Sequence, residues 1–293
     1  MQVEIMKWFQ GLFENFTDFF DPFFTFITFF GDGTLLYALV PIIYWCMDKR
    51  FGKLIACSLF TSIVFNDTIK EIAKVKRPLF NSEVRYLEMD NFFANTIDLK
   101  NSYSFPSGHS QNIAVTSFTL AIHYNKKKIW IISIILTLLV MMSRLYLGVH
   151  WPIDVIVGCM LGISIACIMY IVHKHCKESL LDYVYIGIAL FCALALIFSR
   201  SSSTFRNVGC ILGFACGSFF ESKLVNFDPL VNPLWKKILR VVLGLAIVLG
   251  LKAGLKPLFN LIGDYNFLHL IRYFIVIFIA VGLYPLLFKK INL

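Results

Sequence analysis

The chain has 293 residues, of which 58% are hydrophobic and only 15% charged, and its mean hydropathy is +0.73. A soluble domain carries about 25% charged residues, so the composition excludes an ordinary soluble protein and predicts an all-α polytopic membrane protein. The net charge of +9 could also indicate nucleic-acid binding. Most lysines and arginines, however, stand in short loops between apolar segments, where a membrane topology places them. We therefore expect the bilayer as a partner and no nucleic acid.

The first 25 residues are dense in phenylalanine and predict an amphipathic helix. Five phenylalanines recur at helical spacing, and three acidic residues fall on other faces: Phe9, Phe13, Phe16, Phe20 and Phe24, against Glu14, Asp18 and Asp21. Such a helix lies in the membrane interface or packs against a helical bundle. The segment lacks a basic leader followed by a small-residue cleavage site, so we expect no removable signal peptide.

Apolar segments of membrane-spanning length follow along the rest of the chain. They cover residues 26–47, 51–69, 108–124, 129–147, 152–173, 180–199, 204–220, 237–259 and 267–288. The sequence therefore predicts nine transmembrane helices, or eight because Gly31-Asp32-Gly33 interrupts the first. We expect one membrane domain in three parts: an interfacial helix at 1–25, a core at 26–175 with the first five spans, and a four-span extension at 176–293.

Alternate loops differ in basic charge, which predicts the orientation of the chain. One set holds most of the cations: Lys49, Arg50, Lys53, Lys126, Lys127, Lys128, Lys174, Lys177, Lys223, Lys236, Lys237, Lys289 and Lys290. This set and the C-terminus should be cytoplasmic, whereas the N-terminus and the 70–107 loop should be exoplasmic or luminal. The bias fits a bacterial plasma membrane or an endoplasmic-reticulum membrane, and we expect the bacterial one.

The longest polar stretch is the 79–105 loop, on the exoplasmic side. Its charged residues include Glu83, Arg85, Glu88, Asp90 and Asp98. A loop of this length is long enough to form a short lid or an interfacial helix over a site on the same side.

Lys70 and Arg77 form the first of three polar blocks at the ends of apolar segments. They stand two helical turns apart, so both should project from one face of a helix that Pro78 ends. Lys74 shares that face and is a weaker candidate. Cations at such a place are commonly snorkelling anchors, and only the other two blocks make them candidate phosphate contacts.

The second block, Pro106-Ser107-Gly108-His109, opens a helix. Free backbone N–H groups and the helix dipole make such a start an anion cradle, in which Gly108 allows close approach and Ser107 adds a hydroxyl donor. Taken alone, the block is equally an ordinary helix start with His109 at the interface.

The third block runs from Ser143-Arg144 to His150 and Asp154. The histidine and the aspartate are four residues apart, which makes them neighbours on a helix surface. A carboxylate there can accept a hydrogen bond from one imidazole nitrogen and leave the other nucleophilic. Arg144 can bind two phosphate oxygens with its planar guanidinium. All three blocks share one predicted membrane face, and together they indicate a phosphate-ester hydrolase.

The pattern Lys-x6-Arg-Pro, Pro-Ser-Gly-His and Ser-Arg-x5-His-x3-Asp resembles the type 2 phosphatidic acid phosphatase (PAP2) superfamily, in its membrane-bound lipid phosphatase branch. The resemblance implies that His150 forms a phosphohistidine, that Asp154 orients it, and that His109 protonates the leaving oxygen and later activates water. It also implies that the phosphoryl oxygens are held by Lys70, Arg77, Ser107, Gly108 and Arg144. The implied activity is metal-independent hydrolysis of a lipid phosphate or diphosphate at the non-cytoplasmic face.

No metal or cofactor is expected from the sequence. The eight cysteines lie in or beside apolar runs without Cys-x-x-Cys spacing, which predicts small buried side chains. A carboxylate-rich pattern of the kind that holds a metal is also missing.

Other functions remain open. The chain could be a phosphatase of a sphingoid or soluble sugar phosphate, or a phosphotransferase that passes the phosphoryl group to an acceptor alcohol. A lipid-binding or transport protein is the non-enzyme alternative, because ionisable residues at membrane depth mark such pathways. The remaining histidines, His123, His173, His175 and His269, have no role that the pattern indicates.

Overall fold

The computed structural model describes residues 1–87, 99, 102–230, 233–263 and 265–290. Every regular element in those ranges is helical, which confirms the all-α prediction. In chain order the α-helices are α1 (Gln2–Gly11), α2 (Thr17–Thr28), α3 (Gly33–Cys46), α4 (Lys49–Ala73), α5 (Gly108–Tyr124), α6 (Lys127–Tyr146), α7 (Pro152–His175), α8 (Glu178–Ala193), α9 (Ala195–Phe198), α10 (Ser202–Phe220), α11 (Leu234–Asn260), α12 (Asn266–Phe278) and α13 (Pro285–Lys290). Short 3₁₀-helices cover Glu14–Phe16, Phe29–Gly31 and Pro78–Phe80, and π-helical turns cover Glu221–Val225 and Ile279–Leu283.

Six helical stretches among the described residues are long and apolar enough to cross a membrane. They are Lys127–Tyr146, Pro152–His175, Glu178–Phe198, Ser202–Val225, Leu234–Asn260 and Asn266–Lys290, and they correspond to the last six predicted spans. A seventh results if Glu14–Gly31 and Leu35–Cys46, which are bent by 45°, count as one broken span. The bend falls at the glycine-containing interruption that the sequence shows.

The other two predicted spans, residues 51–69 and 108–124, correspond to α4 and α5. α4 has 25 residues with charged side chains at both ends, and α5 has 17 residues. Neither helix is among the stretches that are both long and apolar enough to cross a membrane. The apolar helices therefore number fewer than the nine spans predicted. Both helices are largely buried within the protein, and a helix that faces protein does not need a strongly apolar surface.

The chain divides into two compact units made of discontinuous segments. The first comprises Met1–Leu36 and Thr68–Tyr170, and the second comprises Tyr37–Asp67 and Ile171–Leu293. The predicted parts at 1–25, 26–175 and 176–293 follow chain order instead. All eight predicted site residues belong to the first unit.

In the first unit, the phenylalanine-rich N-terminus is packed rather than fully exposed. The stretch predicted as one helix forms two, α1 and α2, with a break between residues 12 and 16. Five of its phenylalanines pack around the end of α6, against Tyr146, Leu147 and Val149: Phe9, Phe13, Phe20, Phe23 and Phe24. Phe16, at the break, is 65% exposed. The N-terminal helices therefore support the turn that leads from α6 to α7.

In the second unit, α10 lies close against α12 because glycines remove side chains from the contact. A Cβ at Gly209 would lie 2.3 Å from the Leu270 carbonyl oxygen, and one at Gly213 would lie 2.5 Å from that of Phe274. Small residues one turn apart let helix backbones approach in membranes.

The end of α4 differs from the sequence-based expectation. The helix ends at Ala73, Lys74 has a left-handed backbone (φ 50°), and Arg77 is extended (φ −76°, ψ 154°). Proline disfavours a helical conformation in the residue before it, so Pro78 moves Arg77 out of the helix. The prediction that Lys70 and Arg77 project from one helix face is therefore wrong, and Lys74 is exposed.

Candidate active site

His150 lies at the centre of the site, in the turn between α6 and α7, and only 2% of it is exposed. Its Nδ1 is 3.4 Å from Oδ2 of Asp154, which stands in the first turn of α7 and is fully buried. The two side chains are thus in contact, as predicted, although His150 precedes α7 and the pair does not share a helix surface. The second imidazole nitrogen, Nε2, faces away from the carboxylate.

The Asp154 carboxylate is held by two further donors. The Trp151 backbone N–H donates to Oδ2 at 2.8 Å, and the Ser104 hydroxyl donates a short hydrogen bond to the same oxygen. Ser104 Oγ also lies 3.4 Å from His150 Nδ1. Sequence reasoning missed Ser104. It stands in the same polar run as Ser107, but nothing in that run indicates which hydroxyl faces Asp154.

Arg77 contacts the other side of the His150 ring. Its Nη1 lies 3.2 Å from Nε2 and donates to the Val149 carbonyl at 3.0 Å, while its Nε donates to the Ser102 carbonyl at 3.0 Å. A guanidinium can only donate, so Nε2 of His150 is the acceptor and Nδ1 carries the proton toward Asp154. The nucleophile predicted from sequence therefore has the required tautomer, with Arg77 covering its free nitrogen. Ser102 is a second residue that sequence reasoning missed.

The charges around His150 keep the imidazole neutral. Burial lowers its pKa well below the usual value, and the cations of Arg77, Lys70 and Arg144 and the neighbouring His109 lower it further. Burial also lowers the pKa of Arg77, to about 10, so the guanidinium remains charged at neutral pH. A neutral imidazole beside buried cations is suited to attack an anionic electrophile.

Lys70 holds the loop that precedes α5 through hydrogen bonds. Its Nζ donates to three backbone carbonyls of that loop, those of Tyr103 (3.2 Å), Ser104 (3.3 Å) and Pro106 (2.7 Å). An ammonium has three donors, and each has a carbonyl acceptor here. Lys70 therefore contacts the loop that leads to Ser107, and its role in holding phosphoryl oxygens stays a prediction.

Ser107 and Gly108 form the start of α5, as the sequence predicted. Ser107 is the N-cap, and its Oγ accepts hydrogen bonds from the Ser110 backbone N–H (3.4 Å) and hydroxyl (3.0 Å). Its own N–H donates to the Asp154 carbonyl at 2.9 Å. A Cβ at Gly158 would lie 2.6 Å from the Ser107 carbonyl oxygen, so α7 approaches this helix start closely.

Arg144 and His109 complete the predicted set. Arg144 is 1% exposed and donates through Nη1 to the hydroxyl of Thr28, while its Nε has no hydrogen-bond partner among the described residues. His109 packs against Gly31, where a Cβ would lie 2.9 Å from the His109 Cβ. The glycine-containing interruption between α2 and α3 therefore gives His109 room. Thr28 and Gly31 are contacts that the sequence pattern did not indicate.

Part of the predicted lid loop crosses the turn that carries the site. Gly148 has φ +69°, and a Cβ there would lie 2.1 Å from the Arg85 carbonyl oxygen. The Gln10 side-chain amide donates to the carbonyls of Arg85, Leu145 and Tyr146 and so connects α1 to both segments. Glu83 pairs with Lys7, and Arg85 with Asp21. The other predicted loop charges, Glu88, Asp90 and Asp98, lie outside the described residues.

Within the ranges that the structure describes, no group of three or more His, Cys, Asp or Glu side chains could hold a metal ion. The first unit brings together a carboxylate-bound imidazole, two buried arginines, a partly buried lysine, a second histidine and a helix start. Cations and helix N–H groups bind anions, and the imidazole supplies a nucleophile. The arrangement can therefore bind a phosphoryl group and transfer it to His150.

Comparison with known proteins gives two family matches. The family described as the PAP2 superfamily matches residues 51–178, and the PAP2 superfamily phosphatase transmembrane extension matches residues 205–293. The first match contains all three sequence blocks. No solved structure matches the chain.

Several curated proteins are similar to parts of the chain. An undecaprenyl-diphosphatase of Sulfolobus acidocaldarius is 34% identical over 117 residues, which are 39% of this chain and 51% of that protein. Phosphatidylglycerophosphatase B of Bacillus subtilis is 33% identical over 150 residues, 47% of this chain and 67% of that protein. Sphingosine-1-phosphate phosphatase 1 of Rattus norvegicus is 24% identical over 262 residues, 80% of this chain and 59% of that protein. The chain thus spans only about half to two thirds of the length of these relatives.

Proposed function

The chain belongs to the PAP2 superfamily, and we propose from this premise that it is a membrane phosphatase that hydrolyses a lipid phosphate or diphosphate. One observation carries the proposal. His150 Nδ1 lies against the Asp154 carboxylate while Nε2 faces the Arg77 guanidinium at 3.2 Å. This is the geometry of an oriented nucleophile beside an anion-binding cation.

The reaction proceeds in two steps in this proposal. The lone pair on Nε2 of His150 attacks phosphorus, the bond from phosphorus to the lipid oxygen breaks, and protonated His109 gives its proton to that oxygen. A water molecule then attacks the phosphohistidine, His109 takes a proton from the water, and the P–N bond breaks to release phosphate. The two steps consume one ester and one water and restore both histidines.

The cations act on the phosphoryl oxygens in this reaction. The Arg77 guanidinium lies 3.2 Å from Nε2, so a phosphoryl group bound between the two accepts hydrogen bonds from the guanidinium while Nε2 attacks phosphorus. The Arg144 Nε–H has no hydrogen-bond partner among the described residues. A phosphoryl oxygen can accept a hydrogen bond from it. The backbone N–H groups at Gly108 and the helix start add donors, and such preorganised donors stabilise charge in the transition state. Lys70 supports the same region through its loop contacts.

The proposed topology has nine spans with the site on the non-cytoplasmic side. α4 and α5 are the two spans that apolar length does not identify, and their burial supports a place inside the bundle. The basic loops and Lys289 and Lys290 face the cytoplasm of a bacterial cell in this proposal. A protease-sensitive tag after residue 293 should resist external protease in sealed cells, and ready cleavage would refute the orientation.

A sphingoid phosphate is a second candidate substrate. The match to the rat sphingosine-1-phosphate phosphatase covers 80% of this chain, although its identity is 24%. Transfer of the phosphoryl group to an acceptor alcohol would use the same first step and differ only in what attacks the phosphohistidine. Free phosphate released without any added alcohol distinguishes hydrolysis from transfer.

The test is phosphate release by the purified, detergent-solubilised protein. The substrates are phosphatidate, phosphatidylglycerol phosphate, undecaprenyl diphosphate, sphingosine phosphate and glucose 6-phosphate, each with excess chelator. We expect release from at least one lipid by the wild type and none by His150→Ala. Equal release by both proteins, or release only from glucose 6-phosphate, would contradict the proposal.

A further inference from the structure

We infer that Ser104 is a positioning residue, whose hydroxyl holds the Asp154 carboxylate in the orientation that points Oδ2 at Nδ1 of His150. The inference rests on the proposed function of His150. Ser104 lies outside the three sequence blocks, and its role comes from the contacts of its side chain and backbone.

The backbone of Ser104 is fixed from the end of α4. Its N–H donates to the Val75 carbonyl at 2.8 Å, and its carbonyl accepts from Lys70 Nζ at 3.3 Å. The residue is fully buried. Because both backbone groups of Ser104 are hydrogen-bonded, its hydroxyl keeps a constant position relative to Asp154. Lys70 therefore acts on His150 in two ways, by its charge and by holding Ser104.

The contacts of Asp154 are concentrated on one oxygen. Oδ2 accepts from the Ser104 hydroxyl and the Trp151 N–H and faces His150 Nδ1, whereas Oδ1 has no hydrogen-bond partner among the described residues. The terminal torsion of an aspartate has broad minima. Without the hydroxyl, only one donor besides the histidine fixes the carboxylate, so the carboxylate and the imidazole that donates to it can turn together out of the attacking orientation.

The hydroxyl also weakens the carboxylate as an acceptor. A carboxylate oxygen that already accepts hydrogen bonds offers less charge to the next donor. When the hydroxyl is removed, Asp154 stabilises the imidazolium of His150 more strongly. The other charged or titratable groups that act on His150 are Lys70 and Arg77 at the end of α4, His109 on α5 and Arg144 on α6, and this substitution leaves them in place.

Two readouts test this role, with Ser104→Ala as the variant. We expect kcat to fall by roughly 10- to 100-fold, the range for loss of a hydrogen bond to a charged group, with KM within about twofold because Ser104 touches no phosphoryl oxygen. The acid limb of kcat/KM should move to higher pH, because His150 is then protonated more readily. Ser104→Thr keeps the hydroxyl and should restore both quantities toward wild type.

Ser58→Ala is the matched control. Ser58 is equally buried, and its hydroxyl donates to the Leu54 carbonyl within its own helix at 2.8 Å, so kcat and the acid limb should stay at wild-type values. If Ser104→Ala does not purify as a folded protein, Ser104→Cys replaces it. Its thiol is a weak donor and should give a smaller shift in the same direction.

The outcomes separate the two proposals. If the wild type releases phosphate and His150→Ala does not, but Ser104→Ala behaves as Ser58→Ala does, the role of Ser104 is refuted and the proposed function stands. A loss of activity that is equal at every pH and that threonine does not restore also refutes the positioning role. If the wild type and His150→Ala release phosphate equally, the proposed function fails, and the role of Ser104 fails with it.

Discussion

At the scale of single residues, Arg77 has two roles in the account, because it covers the free nitrogen of His150 and then receives the phosphoryl group. Four atoms hold its guanidinium in place: the Ser102 carbonyl and hydroxyl, the Val149 carbonyl and His150 Nε2. This fixed, forked arrangement is one that a lysine cannot reproduce. The residue is buried at 4% exposure, so its substitution also removes a packed side chain.

We therefore predict that Arg77→Lys lowers kcat by about 100- to 1000-fold, the range for removal of one donor that stabilises transition-state charge. The measurement is steady-state phosphate release on the substrate that the panel identifies. Lys76→Ala is the control, because that side chain is exposed and only its backbone carbonyl contacts Trp151. Activity of Arg77→Lys within threefold of Lys76→Ala would contradict the role of Arg77.

At the scale of elements, α1 holds the turn between α6 and α7 through Gln10. One side-chain amide donates to three carbonyls on two segments, at 2.8 to 3.2 Å, and its oxygen accepts from the Arg85 N–H. We predict that Gln10→Ala lowers the free energy of unfolding by about 1–3 kcal/mol, because buried carbonyls lose their donor. kcat should fall as well, since Gln10 contacts the last turn of α6, which carries Arg144.

Thermal unfolding in detergent and phosphate release measure both effects of Gln10→Ala. The control is Glu14→Ala, an exposed residue in the break between α1 and α2. If Gln10→Ala and Glu14→Ala have the same melting temperature and kcat, α1 does not support the turn. If the melting temperature falls while kcat is unchanged, Gln10 has a structural role only, and the predicted effect on kcat through Arg144 is wrong.

The second unit contains a buried ion network at the start of α4. Lys53 Nζ lies 3.3 Å from Asp182 and 3.4 Å from Glu221, and Lys49 Nζ lies 3.1 Å from Glu221. Removing one partner of such a network leaves a buried charge without compensation, which costs about 3–5 kcal/mol. The sequence assigned these lysines only to a basic loop, because their carboxylate partners lie more than 100 positions away in the chain.

We predict that Lys53→Met lowers the free energy of unfolding by about 3–5 kcal/mol. Lys223→Met is the control, because Lys223 is exposed and lies over the rings of Tyr183 and Phe219. Denaturation in detergent monitored by tryptophan fluorescence gives both values. Equal stability of the two variants would show that the network contributes nothing.

At the scale of the whole molecule, local spacing predicted two features correctly: His150 and Asp154 are in contact, and a helix starts at the polar run around Ser107. The prediction that His150 and Asp154 share a helix surface is wrong, because His150 lies in the turn before α7. The sequence could not predict Ser104 or Gln10, because their partners are 50 and up to 136 residues away. It also missed the end of α4, where Pro78 and the left-handed Lys74 override a helical pattern. Six predicted spans correspond to helices that are long and apolar enough to cross a membrane, whereas α4 and α5 are largely buried and carry more polar side chains.

In the proposed reaction, His150 becomes phosphorylated during turnover. The most direct measurement mixes the purified protein with its ³²P-labelled substrate, quenches in alkali, where phosphohistidine survives, and maps the label by peptide mass spectrometry. We predict label on His150 in the wild type and none in His150→Ala. Phosphate release by the wild type with label on another residue, or with no covalent label at any quench time, would refute a phosphohistidine at His150.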